Sequence, residues 1–324
     1  MKAVRIHEYG DLGVMRYEDA PTPEPRPGEV LIRVRAAALN WADVLDRQGR
    51  YGKRTDFPRP LGLEVAGTIE QVGPEVTDLR AGQNVFGMVR TGAYAEYAAG
   101  HPSVLFPLPD NLSFAEGAGA GIVYLTAWHA LITKSNLQAG QRVLVHAVGS
   151  GVGTAALQIA KARGTTVIAT AGSDEKLKRA RELGADHVIN YSTTPDFAPE
   201  VKRLTDGKGV NVVIEGVGKA TFAGSLASLG LNGHLAVIGT PSGSDIAFDL
   251  SALLGQNITM FGYTLRSLNA LGPTLQTFRR EALPLFASGQ LRPIVDRTLP
   301  LERAADAHTA LSDRAAFGKV VLEM

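Results

Sequence analysis

The sequence predicts an α/β fold in which a doubly wound parallel sheet is joined to a β-rich domain. Three observations support this. Short apolar runs alternate with helical spacers from about Arg142 onward, β segments broken by Pro and Gly fill the first third, and 324 residues are long for one core. About two domains are expected of such a chain.

In chain order, the β-rich part contains Val30-Leu31-Ile32-Arg33-Val34, Glu64-Val65-Ala66-Gly67-Thr68-Ile69 and Gln83-Asn84-Val85-Phe86-Gly87. Their alternation, with turn clusters such as Pro21 to Gly28, favours strands. The second rhythm opens with the strand Val143-Leu144-Val145-His146 and a helix from Gly151 to Arg163. Next come Val167-Ile168-Ala169-Thr170, a helix from Asp174 to Leu183, and the runs Val188-Ile189, Val212-Val213-Ile214, Leu235-Ala236-Val237-Ile238 and Ile258-Thr259-Met260-Phe261. Apolar runs alternating with helices indicate βαβ units and a parallel sheet covered on both faces. Helical spacing returns from Leu271 to Phe286, and Pro293 to Leu299 and Gly318-Lys319-Val320-Val321-Leu322 follow. The last segment is β-like and needs a partner sheet, so the C-terminus is expected to return to the first domain. The predicted division sets residues 1–123 and 264–324 against 124–263.

Composition narrows the function classes. Hydrophobic residues make up 45% of the chain, with 36 Gly and 17 Pro, as in compact proteins rich in tight turns. Lys and Arg total 33 against 32 acidic residues, and a formal charge of +1 gives no basic stripe for nucleic-acid phosphates. The start, Met1-Lys2-Ala3-Val4-Arg5-Ile6-His7, lacks a secretory pattern, and no run of about 18 apolar residues follows. A soluble cytoplasmic protein is expected. Cysteine is absent, which removes disulfides, thiolate metal ligands, iron–sulfur clusters and a thiol nucleophile.

The chemistry concentrates at Gly149-Ser150-Gly151-Val152-Gly153, between an apolar strand and a helix of small residues. Glycines let the backbone turn tightly and approach a pyrophosphate, whose charge is favoured by the N–H groups of a helix start. The spacing is G-x-G-x-G rather than G-x-G-x-x-G, so an empty tight turn is the alternative; the βαβ series around it argues for a dinucleotide. A site for NAD ends its second strand with Asp or Glu about 20 residues on. Here that strand ends Ala169-Thr170-Ala171-Gly172-Ser173-Asp174-Glu175-Lys176. Ser173 can hydrogen-bond a 2′-phosphate and Lys176 can supply positive charge, which favours NADPH. The alternative has Ser173 capping a helix and Lys176 solvated, and capping and phosphate binding can coexist.

Further blocks extend the pattern: Leu39-Asn40-Trp41-Ala42-Asp43-Val44-Leu45-Asp46-Arg47-Gln48-Gly49-Arg50-Tyr51, Pro60-Leu61-Gly62-Leu63-Glu64-Val65-Ala66-Gly67, Gly92-Ala93-Tyr94-Ala95-Glu96-Tyr97 and Leu125-Thr126-Ala127-Trp128. With the glycine turn and Leu183-Gly184-Ala185, they resemble the zeta-crystallin-like quinone oxidoreductase branch of the medium-chain dehydrogenase/reductases over nearly the whole chain. The resemblance implies a GroES-like β-rich domain joined to a Rossmann dinucleotide domain, with hydride transfer in a cleft between them. In zinc-dependent relatives a Cys stands at the place of Asn40 and a His at the place of Leu63, so both ligands are gone. Alcohol oxidation then loses its Lewis acid, whereas quinones and activated enones accept hydride with less help.

The resemblance also assigns residues. Asn40, Asp43 and Tyr51 match cleft-lining positions, with Tyr51 the best proton donor or oxygen contact. Thr126, expected at the start of the helix bridging the domains, matches a nicotinamide contact. Tyr191 matches a contact near the adenosine phosphate, Gly239 and Thr240 follow a strand where such sheets place ligands, and Arg314 matches an arginine near the cofactor phosphate. Structural alternatives stand beside these: Asn40 satisfying a turn, Asp43 capping a helix, and Tyr51 as a surface aromatic. A homodimer through the strand Ile258–Phe261 is implied. The function expected is an NADPH-dependent, zinc-independent reductase of a quinone or enone. An enal or enoyl double-bond reductase and a weakly catalytic NADPH sensor are the alternatives.

Overall fold

A computed structural model describes residues 1–52, 54–265 and 271–324. The chain divides into two compact units, Met1–Ile122 with Arg292–Met324, and Val123–Leu291.

The first unit is β-rich. Its smaller sheet has the order β2-β1-β4, from β1 (Lys2–Ile6), β2 (Met15–Asp19) and β4 (Arg59–Pro60). Its larger sheet combines β3 (Val30–Ala38), β5 (Glu64–Val72), β6 (Asn84–Met88), β7 (Tyr97–Gly100), β8 (Leu105–Pro107), β15 (Val295–Pro300) and β16 (Lys319–Glu323). The path runs β15-β16-β3-β5-β6-β8, with β7 also on β3. Alternation along β3 sends Val30, Ile32 and Val34 into a core with Ile6, Leu39, Leu61, Val65, Ile69 and Leu322. Helices α1 (Trp41–Arg47), α2 (Phe114–Ala118) and α11 (Ala304–Ser312) belong to this unit. β16 runs antiparallel to β3, pairing Val321 with Ala38, so the C-terminus does return to the first unit's sheet.

The second unit holds β9 (Arg142–Val145), β10 (Thr166–Ala171), β11 (His187–Asn190), β12 (Val210–Glu215), β13 (Leu229–Val237) and β14 (Thr259–Gly262). They form one parallel sheet in the order β11-β10-β9-β12-β13-β14. Chain order reverses between β9 and β12, the switch point at which doubly wound sheets place ligands. The helices α4 (Gly151–Ala162), α5 (Asp174–Glu182), α6 (Ala198–Leu204) and α7 (Phe222–Ser228) alternate with the strands. Leu144, Ile168, Ile189, Val213 and Leu235, one from each of the first five strands, pack with Phe197, Val201, Phe222 and Leu226. The short helix α8 (Ser251–Leu254) precedes the edge strand β14.

One expected boundary is corrected. α9 (Gly272–Thr277) and α10 (Leu283–Ala287) fall within the segment 264–324 assigned above to the first domain, but they pack in the second unit. Their apolar face closes on α3 (Gly121–Trp128) and its extension. Trp128 Nε1 donates to Thr277 Oγ1 at 3.0 Å, and Trp128 and Tyr124 meet Phe278 and Phe286 edge to face. The chain returns to the first unit at Arg292, just ahead of the strand pattern that can join its sheet. Residues 266–270 of the same segment lie outside the described residues.

Candidate functional site

In the second unit the chain leaves β9 through a turn in which Ala147 has φ of 47°. Ser150 is the N-cap of α4, its Oγ accepting the Gly153 N–H at 3.0 Å. A Cβ at Gly153 would stand 2.5 Å from the Ala147 carbonyl oxygen and 2.7 Å from Val148 Cα, so the helix can start this close to the strand exit only on glycine. Ser150 is exposed, and Gly151 and Val152 are half-buried, so the helix N-terminus faces outward with a negative charge favoured there.

Ser173, after β10, caps α5, its Oγ accepting the Lys176 N–H at 3.5 Å. The capping alternative is therefore realised. Asp174, the first acid beyond the strand, accepts from Asn190 Nδ2 at 2.8 Å. Tyr191 follows β11; its N–H donates to Ala171 at 3.1 Å, and a Cβ on Gly172 would lie 3.2 Å from its ring. Gly239 and Thr240 follow β13. The sequence-predicted Gly149 to Gly153, Ser173, Lys176, Tyr191, Gly239 and Thr240 thus gather along the carboxyl edge of one parallel sheet. Thr126 lies in the last turn of α3 rather than at its start, because the helix already begins at Gly121; its carbonyl accepts from the Tyr263 hydroxyl.

Beneath that edge runs a polar network that the sequence reading missed. His146 is buried, its Nδ1 2.8 Å from Thr170 Oγ1 and its Nε2 2.9 Å from Ser225 Oγ. Ser225 Oγ in turn lies 2.5 Å from Glu215 Oε2. Burial lowers the His146 pKa from the usual histidine value, with Glu215 opposing. A charged residue ending the apolar run Val212-Val213-Ile214 was the available signal.

In the first unit, Asn40 and Asp43 are brought together at the start of α1. The Asn40 N–H donates to Asp43 Oδ2 at 2.8 Å, so Asp43 does cap the helix. Both are buried, and the Asn40 amide is engaged on both sides: Nδ2 donates to Glu64 Oε2 at 2.9 Å, and Oδ1 accepts from Lys319 Nζ at 2.7 Å. Lys319 also donates to the Leu39 carbonyl at 2.7 Å and to Glu64 Oε2 at 3.1 Å, which uses all three ammonium protons. Glu64 Oε1 accepts the Ile122 N–H at 2.7 Å. The Tyr94 hydroxyl donates to Asp43 Oδ2 at 3.0 Å, while Asp43 Oδ1 has no hydrogen-bond partner among the described residues. Desolvation pushes the Asp43 carboxyl up to about 7, against the Asn40 N–H and the Lys319 charge. Glu64, Tyr94 and Lys319 were not singled out from sequence, although a lysine opening the apolar run Val320-Val321-Leu322 was a usable sign. Tyr51 is half-buried beyond α1. Arg314 is exposed just past α11, in a left-handed conformation with φ of 53°.

Among the described residues, no group of three or more His, Cys, Asp or Glu side chains converges as metal ligands would, and no helix is long and apolar enough to cross a membrane.

Comparison with known proteins extends these observations. Residues 26–110 match the alcohol dehydrogenase GroES-like domain, and residues 151–288 match the zinc-binding dehydrogenase family. The chain is 34% identical to a quinone oxidoreductase of Homo sapiens, covering 99% of this chain and 97% of that protein. Among solved structures, an NAD-dependent alcohol dehydrogenase is 37% identical with a TM-score of 0.90, each chain fully covered. An Escherichia coli quinone oxidoreductase complexed with NADPH is 29% identical with a TM-score of 0.91, again with full coverage of both. Full-length identity above 30%, both domain matches and the reversed parallel sheet agree: the chain belongs to the quinone oxidoreductase family of the medium-chain dehydrogenase/reductases.

Proposed function

We propose that this chain is an NADPH-dependent reductase that delivers hydride to a quinone or activated enone without zinc. The observation that carries the reading is the carboxyl edge of the parallel sheet. There the α4 N-terminus opens on the Gly149 to Gly153 turn, and Ser173 and Lys176 stand where a 2′-hydroxyl site would hold an acid. Asp174, the first acid after the strand, is held by Asn190. When bound, the cofactor supplies the hydride.

The chain's own residues then divide the work. The turn, with Ser150, would hold the pyrophosphate; Ser173 and Lys176 the 2′-phosphate; Tyr191 the adenosine end; Thr126, Gly239 and Thr240 the nicotinamide end. Arg314 is assigned to a cofactor phosphate. Tyr51 would bind the acceptor oxygen and hold the proton it takes up, while Asn40 and Asp43 fix the start of the helix that leads to it. Asn40 and Leu63 offer no thiolate or imidazole to a metal at the positions where zinc-dependent relatives carry Cys and His. The same reading includes a cytoplasmic location and a homodimer formed through β14, an edge strand with exposed Met260.

The test is a substrate screen. Rapid NADPH oxidation with a naphthoquinone, and slow oxidation with a 2-alkenal, is the expected result. The reverse order assigns the site to double-bond reduction. Tight NADPH binding with no acceptor reduced, or stoichiometric zinc in active protein, overturns the proposal.

A further inference from the structure

Glu215, at the carboxyl end of β12, is fully buried; its carboxylate is met by four donors and, among the described residues, forms no ion pair. The Val217 and Gly218 N–H groups donate to Oε1 at 2.8 and 2.9 Å. Thr221 Oγ1 lies 2.8 Å from both oxygens and Ser225 Oγ 2.5 Å from Oε2. Proton bookkeeping then fixes the rest of the chain. Ser225 Oγ also lies 2.9 Å from the Thr221 carbonyl, but the carboxylate at 2.5 Å is the nearer acceptor for its single proton, which leaves His146 Nε2 to donate to Ser225 Oγ. His146 Nδ1 is left as an acceptor for the Thr170 hydroxyl, and the ring is neutral. Each donor on this chain is spent on holding one negative charge in place.

The charge lies on the side of the sheet that matters for the second half of a dinucleotide. With the pyrophosphate at the β9–α4 turn and the 2′-phosphate after β10, a doubly wound sheet leaves the loops after β12 and β13 to the other nucleotide half. Those loops are fastened together: Ser242 N–H donates to the Val217 carbonyl at 2.9 Å, and Lys219 N–H donates to the Gly243 carbonyl at 3.0 Å. Gly218, with φ of 96°, allows the approach, since a Cβ there would meet the Gly243 carbonyl oxygen at 2.6 Å.

We propose that Glu215 supplies a fixed negative charge to the nicotinamide half of the site and so favours the oxidised, positively charged cofactor. The inference rests on the NADPH reading above. Hydride departure takes one electron pair from the reduced ring to the acceptor and leaves the ring positively charged; a proton drawn from solvent by way of Tyr51 completes the reduced acceptor. A buried carboxylate that is already oriented stabilises that charge as it forms, with little screening.

The experiment compares the Kd of NADP+ with that of NADPH by calorimetry for the native protein, Glu215→Gln and Glu215→Asp. Glu215→Gln should weaken NADP+ about 10-fold more than NADPH. Glu215→Asp, with its carboxylate withdrawn by one methylene, should move the ratio the same way by about twofold to threefold. A folded variant that weakens both forms by the same factor overturns the inference and leaves Glu215 a structural residue. Should the Gln variant not fold, the Asp variant decides alone. If the native protein binds neither form, the NADPH reading fails and takes this inference with it; native binding with an unmoved ratio removes this inference only.

Discussion

Lys319 Nζ donates to the Asn40 side-chain oxygen at 2.7 Å across 279 positions of sequence, and thereby ties the last strand to the start of the first helix. Lys319 is also the cation that faces Glu64, and both side chains are almost wholly buried. Removing one member of such a pair leaves a buried charge uncompensated. Lys319→Met should therefore lower the unfolding free energy by about 3–5 kcal/mol, read from urea denaturation; a loss under about 1 kcal/mol would show that the network contributes little.

Asp43 gives the same network a pH dependence. Its native carboxyl titrates at about 7, above the ordinary 3.8. Below about pH 4 both folded and unfolded states hold the proton, so the term is fully favourable there. Between about 4 and 7 only the unfolded chain ionises, and this contribution to stability is lost as pH rises. Asp43→Asn should flatten that part of the stability profile, on the order of a few kcal/mol between pH 4.5 and 8. Parallel profiles for the two proteins would remove Asp43 as the source.

Gly153 permits the turn only because it lacks a Cβ. The nearest obstructions are backbone atoms at 2.5 and 2.7 Å, which cannot swing aside. Gly153→Ala should cost about 1–3 kcal/mol in stability and weaken NADPH by at least 10-fold. Native-like affinity in the Ala protein would place the cofactor elsewhere.

Lys176 bears on cofactor choice. Lys176→Glu should raise KM for NADPH about 10-fold or more while changing KM for NADH by under about threefold. Equal effects on the two cofactors would argue that Lys176 serves only α5.

β14 is the edge of the parallel sheet, and Met260 on it is 39% exposed. Met260→Glu should shift the protein toward monomer in sedimentation velocity, since a charge blunts edge pairing. An unchanged oligomer would place the interface on another surface.

The parallel sheet was legible because each buried strand is an apolar run between helices, as in Val143-Leu144-Val145 and Val212-Val213-Ile214. The glycine turn was legible for the same local reason. Lys319 with Glu64, and His146 with Glu215, were not, because each pair is joined by topology over long sequence separations that no local period records. The boundary at 264 failed for a related reason. The helical spacing from Leu271 to Phe286 shows that a face is buried, without saying against what, and Trp128 and Tyr124 supply that surface.

The first unit is made from both ends of the chain, and this has a consequence for synthesis. Its larger sheet lacks β15 and β16 until the segment after Arg292 has left the ribosome, whereas the unit from Val123 to Leu291 precedes it in synthesis. At about 5–20 residues per second, the wait across that unit and the closing strands lasts roughly 10 to 40 s. Throughout it Asp43 and Glu64 have no Lys319 to face, and the edge of β3 that will receive β16 stays open. Nascent chains halted before Arg292 should therefore be the form of this protein that holdase chaperones retain.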